Sequence, residues 1–215
     1  MPGLFVTFEG GDGSGKSTQS AVLVQWLEGL GQTVMVSREP GGTELGEELR
    51  EIVLHRRGEI SPRAEALIYA ADRAHNVATR VRPALARGEI VVQDRYLDSS
   101  VAYQGSARAL GADDVRRVSL WAAENLLPDL TILLDLDEAA GRERLNSTGR
   151  RYDRLESEQD SFHANVRAAY LELAAAEPER FLVLDARESV AELAVSIRAR
   201  VQSLLNRARL QPLSS

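Results

Sequence analysis

Gly10-Gly11-Asp12-Gly13-Ser14-Gly15-Lys16-Ser17 decides the fold of this 215-residue chain. It fits G-x-x-x-x-G-K-[ST] at every specified position, a loop whose backbone N–H groups cradle a phosphate chain. Lys16 is the only lysine, although Lys and Arg together fill 26 positions. Arginine is a wide planar fork, whereas lysine is a compact charge on a thin stem that can reach between two phosphates. A chain that writes arginine at nearly every other cationic position evidently needs this one threaded through a tight loop. The flanks agree. Leu4-Phe5-Val6-Thr7-Phe8, just before the loop, is a short apolar run that reads as a buried strand. Ser17 to Leu30 carries Ala21, Val22, Leu23, Val24, Trp26 and Leu27 and ends at Gly31, so it reads as a helix. Strand, glycine loop and helix together aim N–H groups and a positive helix end at phosphate. A glycine-rich turn with a surface lysine is the alternative, and the flanking pattern weighs against it.

Length and composition bound the rest. One α/β domain over residues 1–209 is the default at this size, with 210–215 as a frayed tail. The absence of cysteine excludes disulfides and thiolate zinc sites and fits a reducing cytoplasm. Met1-Pro2-Gly3 runs straight into the first strand, and no apolar run approaches the ~18 residues of a membrane span. A cytoplasmic protein without membrane partners is expected. The net charge of −6 argues against a nucleic-acid-binding surface. An anion site must therefore be a local cluster of arginines, while most of the arginines can reflect a GC-rich genome.

Five apolar runs predict strands, at Leu4–Phe8, Thr33–Ser37, Ile90–Gln93, Leu130–Leu136 and Arg180–Asp185. Helical tracts lie between them, at Ser61–Arg87, Asp113–Leu126, Ser157–Ala176 and, last, Glu188–Arg207. Alternation of this kind predicts a three-layer fold, a five-stranded parallel sheet with helices on both faces. Two polar loops fall where strands end, the rim on which open parallel sheets place ligands. They are Arg38-Glu39-Pro40-Gly41-Gly42-Thr43 and Asp94-Arg95-Tyr96-Leu97-Asp98-Ser99-Ser100. A third, Ser147-Thr148-Gly149-Arg150-Arg151-Tyr152-Asp153-Arg154, combines arginines with a glycine hinge. It reads as a short mobile lid over phosphates, spanning about 147–156, or alternatively as a solvated charged loop.

Phosphoryl transfer needs positioning and charge neutralisation more than covalent chemistry. Gly11 to Lys16 would hold the α- and β-phosphates of ATP, with Lys16 bridging β and γ. Ser17 would contact Mg²⁺, and Asp94, at a strand end, would hold the metal's water shell unless it is an ordinary helix N-cap. A motor ATPase would usually place a catalytic glutamate after that aspartate. Arg95 stands there instead and suggests a second anion nearby, an acceptor phosphate. A switch GTPase needs N-K-x-D, and the sole lysine is already in the phosphate loop.

Jointly, several stretches resemble the bacterial thymidylate kinase family. They are Phe8 to Thr18, Arg38 to Thr43, Tyr69-Ala70-Ala71-Asp72-Arg73, Asp94-Arg95-Tyr96 with Asp98-Ser99-Ser100, Ala102-Tyr103-Gln104-Gly105, Pro128-Asp129-Leu130-Thr131 and Arg154-Leu155-Glu156. The resemblance runs in order from the first strand to about Asp185. It implies a P-loop kinase that moves the γ-phosphate of ATP onto dTMP, with Mg²⁺, and that forms a homodimer. Val115, Val118, Trp121 and Leu126 could supply an apolar face for the dimer or lie in the core.

The resemblance also implies roles. Arg38 and Arg95 would neutralise the acceptor phosphate, beside Glu39, Pro40 and Ser99. Asp12 would receive the 3′-hydroxyl. Tyr69 would stack on the pyrimidine, and Arg73 would donate to its O4. Tyr103 would crowd the 2′ face, while Ser100 and Gln104 would hold the base edge. With no cation among Gly11, Asp12, Gly13 and Ser14, the flap-arginine type is implied. Arg150 or Arg154 would then touch the γ-phosphate and join Lys16, Asp12 and Arg95 as catalytic residues. Arg144 resembles an adenine-packing arginine, and Ala186 and Arg187 lie where adenine contacts are usual. A kinase for another nucleoside monophosphate or phosphometabolite, or an ATP-dependent regulator, remains the competing reading.

Overall fold

Leu4–Glu9 (β1) is buried at every residue, as a strand covered on both faces should be. The computed structural model describes residues 3–56, 58–147 and 152–210. Among them β2 (Val34–Arg38), β3 (Ile90–Asp94), β4 (Leu130–Asp135) and β5 (Phe181–Asp185) complete one parallel sheet of order β2-β3-β1-β4-β5. Every strand lies within one residue of the ends its apolar run predicts. Phe8 and Arg38 both sit opposite Asp94 in the register, so the first three strands deliver their following loops to one rim.

Helices cover both faces. The first four are α1 (Lys16–Gly29), α2 (Glu44–Arg50), α3 (Pro62–Asn76) and α4 (Arg82–Ala86). The others are α5 (Leu97–Ser100), α6 (Ala112–Ala122), α7 (Glu138–Ser147), α8 (Asp160–Ala176) and α9 (Val190–Leu210). Alternation along β1 splits the core. Leu4, Val6 and Phe8 pack with Leu23 and Leu27 of α1 and with Ile197 and Val201 of α9. Phe5 faces the other way, with Val77, Val81, Tyr96 and Leu97. A third cluster, including Tyr69, Tyr103, Phe162 and Tyr170, lies beneath α3 and α8. Each large apolar side chain so buried contributes roughly 1.5–3 kcal/mol, so the two helical layers hold the rim rigidly.

Several expectations need correction. Asp94 to Ser100 is not all loop: only Arg95 and Tyr96 lie outside regular structure before α5, and a π-helical stretch continues it over Val101–Ala107. Buried Leu97, Val101 and Ala102 pull that segment onto the core. The tract from Ser61 to Arg87, long enough for more than one helix, does divide, into α3, a π-helical stretch at Val77–Val81, and α4. Helix α2 lies where none was expected, whereas α7 is the helix that had to precede the polar segment at 147–154. Gly141 weakens the helical pattern of α7, but a Cβ there would press on the Asp12 carbonyl, and one at Gly13 would collide with the Gly141 carbonyl. These two glycines let α7 lie directly against the phosphate loop. Leu210 closes α9 rather than opening a frayed tail, and 211–215 lie outside the described residues.

Candidate active site

Gly15 starts α1 with φ 93°, a left-handed turn that glycine adopts without penalty, and so turns the loop into the helix. Inside it, Lys16 Nζ donates to the carbonyls of Gly10 at 3.0 Å and Gly11 at 2.8 Å. Burial and then the Arg95 charge hold this ammonium below its ordinary pKa, partly offset by Asp12, Asp94 and Glu9. A cation in that state gains from any added negative charge. Ser17 Oγ donates to Asp94 Oδ2 at 3.2 Å, and Asp94 Oδ1 is buried without a hydrogen-bond partner. A hydroxyl beside a carboxylate with an idle oxygen suits a hard divalent cation that keeps part of its water shell.

Arg95 is held from every side. Its backbone takes φ 64°, a conformation that costs a non-glycine residue about 1–2 kcal/mol, so the surroundings must impose it. Its amide donates to Phe8 O at 2.9 Å, while Gln93 Nε2 donates to its carbonyl at 3.1 Å. The guanidinium meets Asp12 Oδ1 at 2.6 Å, Ser99 Oγ at 3.2 Å, and the hydroxyls of Tyr103 and Tyr170 at 3.3 Å each. Behind it, Glu9 Oε2 accepts from Ser99 Oγ at 2.6 Å and from Tyr170 OH at 2.8 Å. Burial, then the Asp98 charge, pushes Glu9 up to about 7. Burial alone would raise Asp12 too, but the Arg95 and Lys16 charges hold it below its ordinary value. Asp12 therefore stays an anion, a fixed acceptor beside a fixed cation.

The second rim loop is anchored just as firmly. Glu39 accepts Arg73 Nε at 2.9 Å, Asn76 Nδ2 at 3.2 Å and Gln93 Nε2 at 3.1 Å. Burial pushes its carboxyl up to about 7 against the pull of Arg73. Arg73, itself buried, also donates to Ser119 Oγ at 3.1 Å, Tyr96 O at 3.2 Å and Ser100 Oγ at 3.1 Å. One Nη1 hydrogen is left over from those four bonds. Gln104 Nε2 donates to the fully buried Glu65 at 2.9 Å. Arg38 is more exposed and pairs with Glu47 at 2.7 Å, and Arg50 donates to Pro40 O at 2.8 Å.

A cleft of about 510 Å³ joins these parts. Its walls include Asp12, Lys16, Ser17 and Thr18 from the phosphate loop and the start of α1, together with Arg38, Glu39, Pro40, Tyr69, Arg73, Ser100, Tyr103 and Gln104. Asp94, Arg95, Ser99, Arg144, Asp153, Leu155 and Glu156 line it too. Arg144 donates to Ala186 O at 2.9 Å and Gly13 O at 3.4 Å, tying the end of β5 to the phosphate loop. Arg187 points elsewhere, onto Asp185 at 2.6 Å. Arg154 is absent from the cleft wall: its guanidinium donates to Val53 O at 2.9 Å and Glu65 Oε2 at 2.5 Å. Arg150 lies outside the described residues. Reading the sequence missed Glu9, Arg50, Glu65, Asn76, Gln93 and Tyr170; Gln93 and Asn76 stand inside helix or strand patterns that signal nothing polar.

A parallel sheet of this order, feeding a lysine-bearing glycine loop into a cleft that Arg38, Arg73 and Arg95 also line, is the arrangement of a P-loop small-molecule kinase. The family model described as thymidylate kinase matches residues 8–197. A thymidylate kinase of Leifsonia xyli subsp. xyli is 70% identical over 200 residues, covering 93% of this chain and 95% of that one. One from Deinococcus radiodurans is 50% identical over 199 residues, covering 93% and 96%. The crystal structure of thymidylate kinase from Ehrlichia chaffeensis superposes with a TM-score of 0.76 at 26% identity, covering 94% of this chain and 99% of that one. The chain belongs to the thymidylate kinase family. No helix among the described residues is long and apolar enough to cross a membrane.

Proposed function

We propose that the protein transfers the γ-phosphate of ATP to dTMP, giving dTDP and ADP. One observation supports the reading: a single cleft is lined both by the phosphate loop with Lys16 and by Arg38, Arg73, Arg95, Tyr69 and Tyr103. ATP phosphates would lie on Gly10 to Thr18, with Lys16 at the β–γ bridge. Arg95 and Arg38 would take the acceptor phosphate. No general base is needed, because that phosphate is already anionic at neutral pH. Asp12, kept ionised by Arg95, would accept the sugar's 3′-hydroxyl, and Tyr103 would crowd the 2′ face. Tyr69 would stack on the base. The spare Nη1 hydrogen of Arg73 would go to O4, and a cytosine amino group there would oppose donor to donor. Ser100 and Gln104 would complete the base edge.

Ser17 and Asp94 are the residues suited to Mg²⁺. Among the described residues no cluster of three or more acidic, His or Cys side chains could hold a metal alone, so phosphate oxygens would complete the set. Bound there, the ion would neutralise phosphate charge. Of Arg150 and Arg154, Arg150 is the better γ-phosphate contact, because Arg154 is engaged with Glu65 and Val53. Arg144 and Ala186 would flank the adenine. Trp121 and Val118 leave an apolar face of α6 open to water, 81% and 36% exposed, which suits pairing of two copies.

An acceptor panel tests the function. With ATP, dTMP should support ADP production far better than dCMP, UMP or AMP. A preference for dCMP or AMP would overturn the reading of Arg73 and Tyr103, and acceptor-independent hydrolysis would favour a regulator.

A further inference from the structure

Glu65 is fully buried and has no place in the phosphoryl-transfer scheme, yet three donors from two other segments converge on it. From the π-helical stretch after α5, Gln104 Nε2 donates to its Oε1 at 2.9 Å. From the segment after α7, Arg154 donates to its Oε2 at 2.5 Å. Arg108 lies 3.5 Å from Oε1 and pairs with Glu158 at 2.6 Å, which joins the same segment a second time. That segment is no distant surface. Asp153, Leu155 and Glu156 line the cleft, and Arg154 N donates to the carbonyl of Leu54, another lining residue.

We infer that Glu65 is a positioning residue that fixes which hydrogen-bonding face Gln104 shows to the pyrimidine and couples occupancy of that face to the seating of residues 152–158. The chemistry is short. An amide presents two donors on one end and an acceptor on the other, and a carboxylate between two guanidinium groups only accepts. Gln104 must therefore turn its nitrogen to Glu65 and keep its oxygen for the cleft. An acceptor there suits the N3–H of thymine and opposes the bare N3 of cytosine. Arg73 would thus read O4 and Gln104 the neighbouring N3, each held by its own buried carboxylate, Glu39 and Glu65. Because Glu65 also holds Arg154, ordering Gln104 around a base orders the cleft-closing segment at the same time. This rests on the reading of the pocket as a dTMP site and adds a residue that sets its selectivity.

The test uses the intact enzyme and the Glu65→Gln variant, whose amide can itself donate to Gln104 and so lets it flip. Expected is a loss of about 10-fold or more in the preference for dTMP over dCMP, measured as the ratio of kcat/KM, with KM for ATP unchanged. Hydrogen exchange at 152–158, slowed by dTMP in the wild type, should no longer respond to dTMP. In a Gln104→Ala background the Glu65→Gln change should cost no further preference. Wild-type preference and wild-type dTMP-dependent protection in Glu65→Gln would overturn the inference and reduce Glu65 to a buried counter-charge. Should that variant fail to fold, Gln104→Ala must lose the dTMP-induced protection and Arg154→Gln must lose preference; retention of both overturns the coupling. A wild-type enzyme that ignores dTMP would instead overturn the functional reading itself.

Discussion

Lys16 and Arg95 divide the work at the scale of single residues. Lys16 is threaded among loop carbonyls where only a thin side chain fits. Arg95 is a fork whose bonds to Asp12, Ser99, Tyr103 and Tyr170 fix its plane before any substrate arrives. In the proposed transfer such preorganisation would matter, because two polyanionic nucleotides would meet end to end and reorganising a clamp in the transition state would raise the barrier. Arg150 and Arg154, of the three arginines in the proposed lid, are expected to act differently. Removing Arg150 should lower kcat by about 100-fold or more with little change in KM for dTMP, the signature of a contact made in the transition state. Removing Arg154 should act mainly through KM for dTMP and base preference. Steady-state kinetics of the two alanine variants would check this, and a reversed pattern would exchange their roles.

Among the elements, α3 shows why a sequence displays some of a site and hides the rest. The phosphate loop was legible because its chemistry is local: spacing alone specifies a glycine cradle, a lysine and a hydroxyl. The central strands β1, β3 and β4 were legible because burial on both faces writes continuous apolar runs, and the partly exposed edge strands β2 and β5 still carry short runs rich in Val and Leu. Helix α3 is different. Glu65, Tyr69, Arg73 and Asn76 recur every three or four residues and all face inward, so the buried stripe is largely polar. Periodicity arguments expect such a stripe to be apolar and assign its charges to solvent. The partners that neutralise it come from other segments: Glu39 for Arg73, Gln93 for Asn76, Gln104 for Glu65. Tyr170 is still further removed, reaching Glu9 across 161 positions. Nothing local announces those pairings. The π-helical stretch at Val101–Ala107 was hidden for a related reason, since its Tyr103 and Gln104 are turned inward by tertiary contacts rather than by their own pattern.

At the scale of the whole molecule, two buried carboxyls tie stability to pH. Glu9 and Glu39 are each pushed from an ordinary 4.5 up to about 7 by burial. Between those values the folded chain binds protons that the unfolded chain has released. The stabilisation they give is therefore full below about 4.5 and is lost as pH rises through 7. Asp12, held low by Arg95, acts in the opposite sense, but only in acid below its ordinary 3.8. Urea midpoints should fall between pH 5 and 7.5, the unfolding free energy dropping by a few kcal/mol at most for each group, and Glu39→Gln should flatten part of that slope. A midpoint that rises over this range, with Glu39→Gln parallel to it, would contradict the assignment.

The same buried groups hold the rim on which two nucleotides are proposed to meet, and a single ligand reports on that arrangement directly. Calorimetric titration with an adenosine–thymidine conjugate bridged by a polyphosphate chain, in magnesium, should give one site per chain and affinity well above that of ATP or dTMP alone. Lys16→Ala and Arg95→Ala should each weaken it by about 10-fold or more. Binding no tighter than ATP, indifferent to Arg95, would mean that the cleft does not hold donor and acceptor together.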